Sequence, residues 1–369
     1  VKLPHYNIKN TLISAPEVVE GGFFFGNRTA LLKYQKLYHE THAMFQKQDI
    51  ADDDQHVVLQ AYRASPGLFH MIYQGKWLQS MRYFQVSVNQ PKFLVYLSGG
   101  LGNQIFQIAN GYALARRFSG TFSILDKPEH DFRQGNKPEK YRNTIFREFG
   151  FSTDETHDAL LCEKKWAYQD YTPEISTFLS SGYRTIGLQG FFQSDMYLGN
   201  FSDEFRNLLL PREGVRKWLA LNKENVFEQF PELDTDVDQG YCFVGVRRTD
   251  YLLYPEHNAC DLDYFMHAIH TQNAVRYYIT SDDIDWCKKN FIGEQYRFFD
   301  LKDDMVQFYA GTLFSKYIIS NSTFHWWISY LSQHENPTVI APNKWHGGPD
   351  CKKENYWSIY RENMIVLDR

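Results

Sequence analysis

The strongest constraint on the fold is a regular alternation of strand-like and helix-like stretches from residue 240 onward. The strand-like stretches are short, apolar and rich in β-branched or aromatic residues, and they cover residues 241–246, 275–280, 296–299, 316–320 and 338–341. Helical patterns follow three of them, from residue 284, over 304–313 and over 324–331. Strands that alternate with helices form a parallel sheet. We therefore predict an α/β fold.

Polar side chains come directly after these strands, and open α/β sheets bind ligands at the edge where their strands end. Arg247 and Arg248 offer guanidinium groups that match phosphate oxygens. Ser281, Asp282 and Asp283 follow the next strand, and their carboxylates could bind guanine or ribose. Asn321, Ser322 and Thr323 follow another strand and cap a helix, whose start could bind an anion. Each group alone also fits surface charge or a helix cap. Together they predict a nucleotide-diphosphate pocket.

A second anion site is predicted within residues 93–118, where an apolar strand runs into glycines and then into a helical pattern. Gly99, Gly100 and Gly102 form the turn, and we expect the helix to begin near Asn103. A strand, a glycine turn and a helix start leave backbone N–H groups free to bind a phosphate. The spacing is neither that of a dinucleotide fold nor that of a P-loop, so a purely structural turn is the alternative.

Composition narrows the classes of partner. The formal net charge of −5 argues against a nucleic-acid partner. Five cysteines without metal-finger spacing exclude a zinc finger and leave one or two disulfides open. No apolar run reaches the roughly 20 residues of a membrane span. Because the chain starts at Val1, we expect membrane contact only through a segment outside it. Sequons at Asn27, Asn200 and Asn321 would matter in a secretory compartment.

The pattern divides the chain into an N-terminal extension at 1–91, a first domain at 92–238 and a second at 239–369. The extension should contain an amphipathic helix after the glycine-rich residues 21–26 and another helix at 56–63. Aspartates 52–54 have the spacing of a divalent-metal site, but a helix start is the favoured interpretation. The polar loop 126–143 should line a substrate cleft. The acidic residues 234, 236 and 238 should lie in the connection between the domains.

Six motifs identify a family resemblance over residues 93–369: LSGGLGNQIFQIANGYALARR, GFFQSD, GVRRTDYL, YYITSDDIDW, IISNSTFHWW and VIAPNKW. Their order and spacing resemble those of α-1,2-fucosyltransferases. The resemblance implies a GT-B-like fold, in which two Rossmann-type domains face a cleft. It also implies transfer of L-fucose from GDP-β-L-fucose to the 2-hydroxyl of a β-galactoside glycan, with inversion and no required metal. In residues 1–85, the pieces GGFFFG and DDDQ resemble the C-terminal part of HtrL/YibB-type proteins.

The resemblance also assigns roles. The family's basic motif maps onto Arg247, Arg248 and Asp250. Arg247 and Arg248 would bind the diphosphate, and Arg247 would be catalytic because it stabilises the charge that develops there. Inversion needs a base near the acceptor hydroxyl, and we expect Asp250 to be that base or, alternatively, to orient Arg247. The glycine turn would close over the donor with Gly99, Gly100, Gly102, Asn103 and Gln104. The GFFQSD motif would contact the acceptor through Gln193 and Ser194. Gly245 stands where the family usually has a histidine, which removes one contact on the nucleotide side. His325 stands where the family usually has a small residue.

Two other functions remain open at this stage. A protein O-fucosyltransferase would use the same donor on a peptide hydroxyl, and a lectin-like or GDP-sugar-binding protein would lack catalysis. The expected partners are a nucleotide-sugar donor and a glycan acceptor. For the location, the sequons and the family favour the Golgi lumen with an anchor outside this chain, with the bacterial cytoplasm as the alternative.

Overall fold

The computed structural model describes residues 28–47, 90–126, 138–222, 224–347 and 355–368. The chain forms two compact units, Val1–Phe84 and Gln85–Arg369. In the first unit the described element is helix α1 (Arg28–Lys47), which the sequence predicted. The aspartates 52–54, the predicted helix at 56–63 and most of the loop 126–143 lie outside the described residues. In the described part of the chain, no helix is long and apolar enough to cross a membrane.

The second unit begins with a parallel five-stranded sheet in the order β3-β2-β1-β5-β4. Its strands are β1 (Lys92–Val95), β2 (Thr121–Leu125), β3 (Phe151–Ser152), β4 (Ala159–Cys162) and β5 (Thr185–Gln189). This sheet and its helices form the first half of the second unit. The helices are α2 (Leu101–Arg117), α3 (Thr172–Ser180), α4 (Ser202–Leu209), α5 (Val215–Leu221) and α6 (Val226–Gln229). Strand β1 matches the apolar strand predicted before the glycine turn, whereas the sequence pattern did not indicate β2, β3 and β4.

The second half of the same unit contains a parallel six-stranded sheet in the order β11-β10-β9-β6-β7-β8. Its strands are β6 (Cys242–Val246), β7 (Tyr277–Ser281), β8 (Tyr296–Phe298), β9 (Lys316–Ile319), β10 (Thr338–Pro342) and β11 (Met364–Leu367). The helices are α7 (Leu262–Gln272), α8 (Ile284–Asn290), α9 (Asp304–Gly311) and α10 (Thr323–Tyr330). The order β9-β6-β7 brings the polar residues after these three strands to one edge. The two parallel α/β sheets confirm the predicted GT-B-like fold.

Helix α2 is buried on nearly all sides, because it packs on β1 and β2 and also against α10 of the other half. The ring of Phe106 lies 4.7 Å from that of Trp326 and 4.8 Å from that of Trp327. Aromatic pairs at these distances add to the stability gained from burial. The helix begins at Leu101, two residues before the predicted start, and its first turn is held inside the protein. This contact joins the two halves next to the predicted site.

Residues 355–361, here called the return segment, tie the two halves together at a second place. The Ser194 hydroxyl donates to the carbonyl of Ser358 at 2.8 Å, and the backbone N–H of Tyr168 donates to the Ser358 hydroxyl at 2.7 Å. From the second half, the indole of Trp326 donates to the carbonyl of Ile359 at 2.7 Å. The return segment therefore bonds to both halves.

Candidate functional site

A cavity of about 300 Å³ lies where the two halves meet. This volume is at the lower end of the range of roughly 300–1,000 Å³ typical of small-molecule sites. From the first half its lining includes Gly100, Leu101, Gly102, Asn103 and Tyr141. From the second half its lining includes Val246, Arg247, Tyr251, Ser281, Asp282, Asp304, Gln307, Ser322, Thr323, Phe324 and His325. Eight of the predicted donor-site residues therefore share one cavity.

Two helices begin at this cavity. Gly100 caps α2 and has no side chain to bond the helix, and the side chain of Ser322, which caps α10, makes no bond to its helix. The helix starts are in backbone contact, because a Cβ atom on Gly102 would lie 2.3 Å from the carbonyl carbon of Thr323. Gly99 supports the turn with a φ of +72°, in the region that favours glycine. Two helix dipoles therefore direct their positive ends toward one cavity, which favours an anion there.

Arg247 adds a full positive charge to the same wall. Its guanidinium donates to Asp250 at 2.8 Å, lies 3.4 Å from a carboxylate oxygen of Asp282, and sits 5.6 Å from the ring centre of Tyr251. Burial would lower the pKa of Arg247, but the bond to Asp250 and the charge of Asp282 outweigh burial and raise that pKa. Arg247 is therefore charged and held in place by Asp250 and Asp282.

Arg248 points elsewhere. Its guanidinium lies 3.8 Å from the ring centre of Trp286 and its Nε lies 3.4 Å from a carboxylate oxygen of Asp283. Asp283 also caps α8 by accepting the backbone N–H of Trp286 at 3.2 Å. Neither Arg248 nor Asp283 is among the described residues that line the cavity. The structure thus places one of the two predicted guanidinium groups on the cavity and the other on a neighbouring aromatic ring.

Asp282 holds the loop that carries the arginines. Its carboxylate accepts the backbone N–H groups of Arg248 at 2.9 Å and of Thr249 at 3.1 Å, and it also accepts the Thr249 hydroxyl. The residue lines the cavity, but these bonds occupy both of its oxygens. Its evident role in this structure is to fix the position of Arg247.

Asn321 is a buried link between loops. Its amide donates to the carbonyls of His257 at 2.5 Å and Trp345 at 2.7 Å, and its side chain is 3% exposed. The sequon at this position is therefore unsuited to carry a glycan. By contrast, the next two predicted residues, Ser322 and Thr323, do line the cavity.

The predicted acceptor residues differ from each other. Gln193 donates to the side chain of Asn103 at 2.9 Å, so it lies directly behind the cavity wall. Ser194 is 1% exposed and is bonded to the return segment. Gln104 is also buried and donates to the carbonyl of Gly99 at 2.9 Å, so it shapes the glycine turn from inside.

Several cavity residues were missed by the sequence analysis. Asp304 and Gln307 lie on the first turn of α9, and Asp304 accepts the hydroxyl of Tyr141 at 2.7 Å and pairs with Lys140 at 2.8 Å. Asp304 follows strand β8, so the rule that identified Ser281 at the end of its own strand could have identified Asp304 as well. Tyr141 belongs to the polar loop 126–143, which was expected to line the cleft without any residue being singled out.

The two departures from the family pattern meet in space. A Cβ atom on Gly245 would lie 2.4 Å from Cγ of His325, so the imidazole occupies the volume that a side chain at 245 would need. The Nδ1 atom of His325 lies 3.1 Å from the hydroxyl of Ser320. Burial, and next the charge of Arg247, lower the pKa of His325 to about 3. A neutral imidazole therefore stands beside Arg247 on the cavity wall.

Within the described ranges, no three His, Cys, Asp or Glu side chains are grouped so that they could hold a metal ion. The expectation that the reaction requires no metal stays a prediction.

Two curated glycosyltransferases of Escherichia coli are similar to this chain over most of their own length. An α-1,2-colitosyltransferase is 27% identical over 278 residues, which cover 68% of this chain and 90% of that protein. The O-antigen biosynthesis glycosyltransferase WbnK is 26% identical over 305 residues, which cover 70% of this chain and 96% of that protein. Among solved structures, the fucosyltransferase NodZ from Bradyrhizobium covers 70% of this chain and 97% of that chain, with 14% identity and a TM-score of 0.42.

These relatives correct the expected location. The Golgi lumen is wrong as the main expectation, because both relatives are bacterial and one of them serves O-antigen biosynthesis. The related expectations of a membrane anchor and of protein glycosylation gain no support from these comparisons. They favour the bacterial alternative.

Two families match the chain, and together they span almost all of it. The first 86 residues match HtrL_YibB, a bacterial protein of unknown function, as the short motifs in this region predicted. Residues 63–367 match Glycosyl transferase family 11. This second match includes both parallel sheets and every residue that lines the cavity. The chain is therefore a glycosyltransferase and belongs to glycosyl transferase family 11.

Proposed function

We propose that this glycosyltransferase transfers L-fucose from GDP-β-L-fucose to the 2-hydroxyl of a β-galactoside glycan, with inversion at the fucose carbon. One observation carries the proposal: two helix starts and the guanidinium of Arg247 surround a single cavity. A nucleoside diphosphate carries its negative charge on the diphosphate group, and Arg247 and the two helix starts place positive charge around this cavity, beside the carboxylates of Asp282 and Asp304.

The same charges suit the transition state. As the bond between fucose and phosphate breaks, negative charge grows on the β-phosphate and positive charge on the sugar. Arg247, the Ser322 hydroxyl and the helix N–H groups would stabilise that growing phosphate charge, and donors fixed in advance contribute several kcal/mol in such sites. Arg248, Asp282 and Asp283 would support the loop that presents Arg247.

Inversion requires the acceptor hydroxyl to attack from the face opposite the phosphate while a base takes its proton. Asp250 is our proposed base. One of its oxygens accepts from Arg247, and the other, Oδ1, is buried without a hydrogen-bond partner among the described residues. A carboxylate oxygen left unpaired in this way is able to accept a proton. Asp250 is not itself among the described residues that line the cavity, so in this role it would act from behind Arg247. The contact with Arg247 also supports the alternative role, in which Asp250 orients the arginine.

A second donor is supported by one of the relatives. The E. coli protein that is 27% identical to this chain is an α-1,2-colitosyltransferase. Colitose is L-fucose without its 3-hydroxyl, so the two nucleotide sugars differ by a single polar group. The relative's name supports a 1,2-linkage for this chain, and it makes GDP-colitose the second candidate donor.

Calorimetric titration with GDP tests the donor class. We expect saturable binding, and we expect Arg247→Ala to weaken it at least about 100-fold, because the variant removes a half-buried charge that would face the diphosphate. Arg212→Ala is the matched control, since Arg212 pairs with Glu148 at the surface and is not among the residues that line the cavity. Absence of saturable binding would support an inert protein and refute the proposal.

Product analysis tests the sugar and the acceptor. The protein is incubated with GDP-fucose or GDP-colitose and a panel of β-galactosides, and the linkage is read by NMR spectroscopy. We expect an α-1,2-linked product from one of the two donors. Transfer only to peptide hydroxyls would instead identify a protein O-fucosyltransferase.

A further inference from the structure

His325 lies at the start of α10 on the cavity wall and is 5% exposed. The rings of Phe243 and Phe324 lie 6.0 and 5.8 Å from its ring, and Ser320 contacts its Nδ1 atom. The one side-chain hydrogen bond of His325 to the described residues is made through Nδ1, so the second ring nitrogen, Nε2, is not used in it. The protein therefore holds the ring in place through one nitrogen and leaves the other available.

Ser320 determines which nitrogen carries the proton. Its side chain is fully buried, and in the described part of the chain His325 is the sole partner of its hydroxyl. If that hydroxyl accepted a bond from Nδ1, its own proton would be buried without an acceptor, which is costly. The hydroxyl therefore donates to Nδ1, and the proton of the neutral ring resides on Nε2.

We propose that His325 binds the sugar donor by donating a hydrogen bond from Nε2 to its diphosphate group. This inference rests on the proposed function, because it takes a GDP-sugar as the occupant of the cavity. In this arrangement Arg247 supplies the charge and His325 supplies a neutral, directional donor beside it. A hydrogen bond to a charged phosphate oxygen is stronger than one between neutral groups.

Gly245 makes room for the ring of His325. The missing side chain at 245 leaves the space that the imidazole fills, since a Cβ atom there would lie 2.4, 2.6 and 2.7 Å from three atoms of the ring. A histidine at 325 therefore excludes a side chain at 245, and a histidine at 245 requires a small residue at 325. By this geometry an imidazole can reach the same part of the cavity from strand β6 or from helix α10, and this chain uses the helix.

Titration with GDP tests the inference. We expect His325→Ala to weaken GDP binding about 10- to 100-fold, the size expected for a lost bond to a charged group. His325→Phe fills the same space without a hydrogen-bond donor and should weaken GDP binding by the same factor. Because this variant leaves no cavity, its loss of affinity cannot result from collapse of the site. His325→Gln places an amide nitrogen near the Nε2 position and should stay within about 5-fold of the unchanged protein. Circular dichroism verifies that each variant is folded.

An exchange variant tests the position of the imidazole. Gly245→His alone should destabilise the protein, because its side chain meets the ring of His325. The double variant Gly245→His/His325→Ala should recover folding and bind GDP more tightly than His325→Ala. A folded double variant that binds no better than His325→Ala would count against the inference.

Two results separate failure of this inference from failure of the proposed function. If the unchanged protein does not bind GDP, the proposed function fails and this inference fails with it. If the unchanged protein binds GDP and folded His325→Phe binds it within twofold, the inference alone is overturned.

Discussion

Gly102 and Thr323 bring the two halves of the protein into backbone contact. A Cβ atom on Gly102 would lie 2.3 Å from the carbonyl carbon of Thr323 and 2.5 Å from the backbone nitrogen of Phe324. These atoms belong to the first turns of α2 and α10, which lie in different halves of the protein. Because backbone atoms cannot rotate away as a side chain does, glycine is required at this position for the two helix starts to meet.

The first prediction follows from this contact. Gly102→Ala should cost about 3 kcal/mol of stability, the upper part of the range for overpacking, and it should weaken GDP binding by separating the helix starts. Gly150→Ala is the matched control, because the nearest atom to its added Cβ lies 4.0 Å away. Urea unfolding measures both variants. Equal stability of the two would contradict the backbone contact.

Asp250 can be assigned to catalysis or to support by two substitutions. Asp250→Asn keeps an oxygen that can accept from Arg247 but cannot accept a proton at neutral pH. If Asp250 is the base, kcat should fall about 100-fold or more while the Kd for GDP stays within threefold. Asp250→Ala should impair both quantities. A kcat of Asp250→Asn within tenfold of the unchanged protein would leave Asp250 only the role of holding Arg247.

Glu163 gives the protein a pH-dependent stability. Its carboxylate accepts the backbone N–H groups of Phe191 at 2.7 Å and Phe192 at 2.9 Å, and burial raises its pKa to about 7. Between the unfolded value of 4.5 and about 7, the folded protein keeps a proton that the unfolded chain has lost. Stability from this group is therefore complete below pH 4.5 and falls by up to about 3 kcal/mol as the pH rises through 7.

Comparison with Glu163→Gln isolates this effect. Burial lowers the pKa of His346 to about 4 and that of His325 to about 3, so both histidines destabilise the fold as the pH falls below 6.5. Their contribution is common to both proteins and cancels in the difference. Unfolding free energies measured from pH 4.5 to 8 should diverge in favour of the variant as the pH rises. Parallel profiles would show that Glu163 does not titrate in this range.

Asn321 should behave as a structural residue. Asn321→Ala would remove the donor shared by the half-buried carbonyl of His257 and the buried carbonyl of Trp345, at a cost of about 2–3 kcal/mol. Asn200, an exposed asparagine of another sequon, is the matched control, and its replacement should change stability by less than about 0.5 kcal/mol. A similar loss in both variants would argue against the buried link.

Much of the second sheet was predictable because its strands are buried on both faces. Strands β6, β7 and β9 are continuous apolar runs, and each is followed by polar residues, so both their type and their ends stand out. Strand β3 has only two residues, and the alternating exposure of β4 gives it little apolar length. Strand β11 closes the sheet at its edge, after a segment without a helical pattern. Short and half-exposed strands carry too little pattern to identify.

The sequence predicted which residues meet at the ends of the strands, but it did not predict where their side chains point. Parallel topology brings Arg247, Ser281 and Ser322 to one edge, whatever each side chain then contacts. That Arg248 would stack on Trp286 depends on a contact with the following helix, which sequence spacing does not specify. The pairing of Gly245 with His325 joins residues 80 positions apart. Both residues looked unusual in the sequence, yet only the packing of β6 against α10 makes them one feature.

The return segment bears on how a donor enters. The halves are joined by the chain between β5 and β6, and they are bonded again through Ser358 and Ile359. The packing of α2 against α10 is a third attachment between the same two halves. The donor should therefore enter without separation of the halves, and both helix starts keep the same alignment at every turnover.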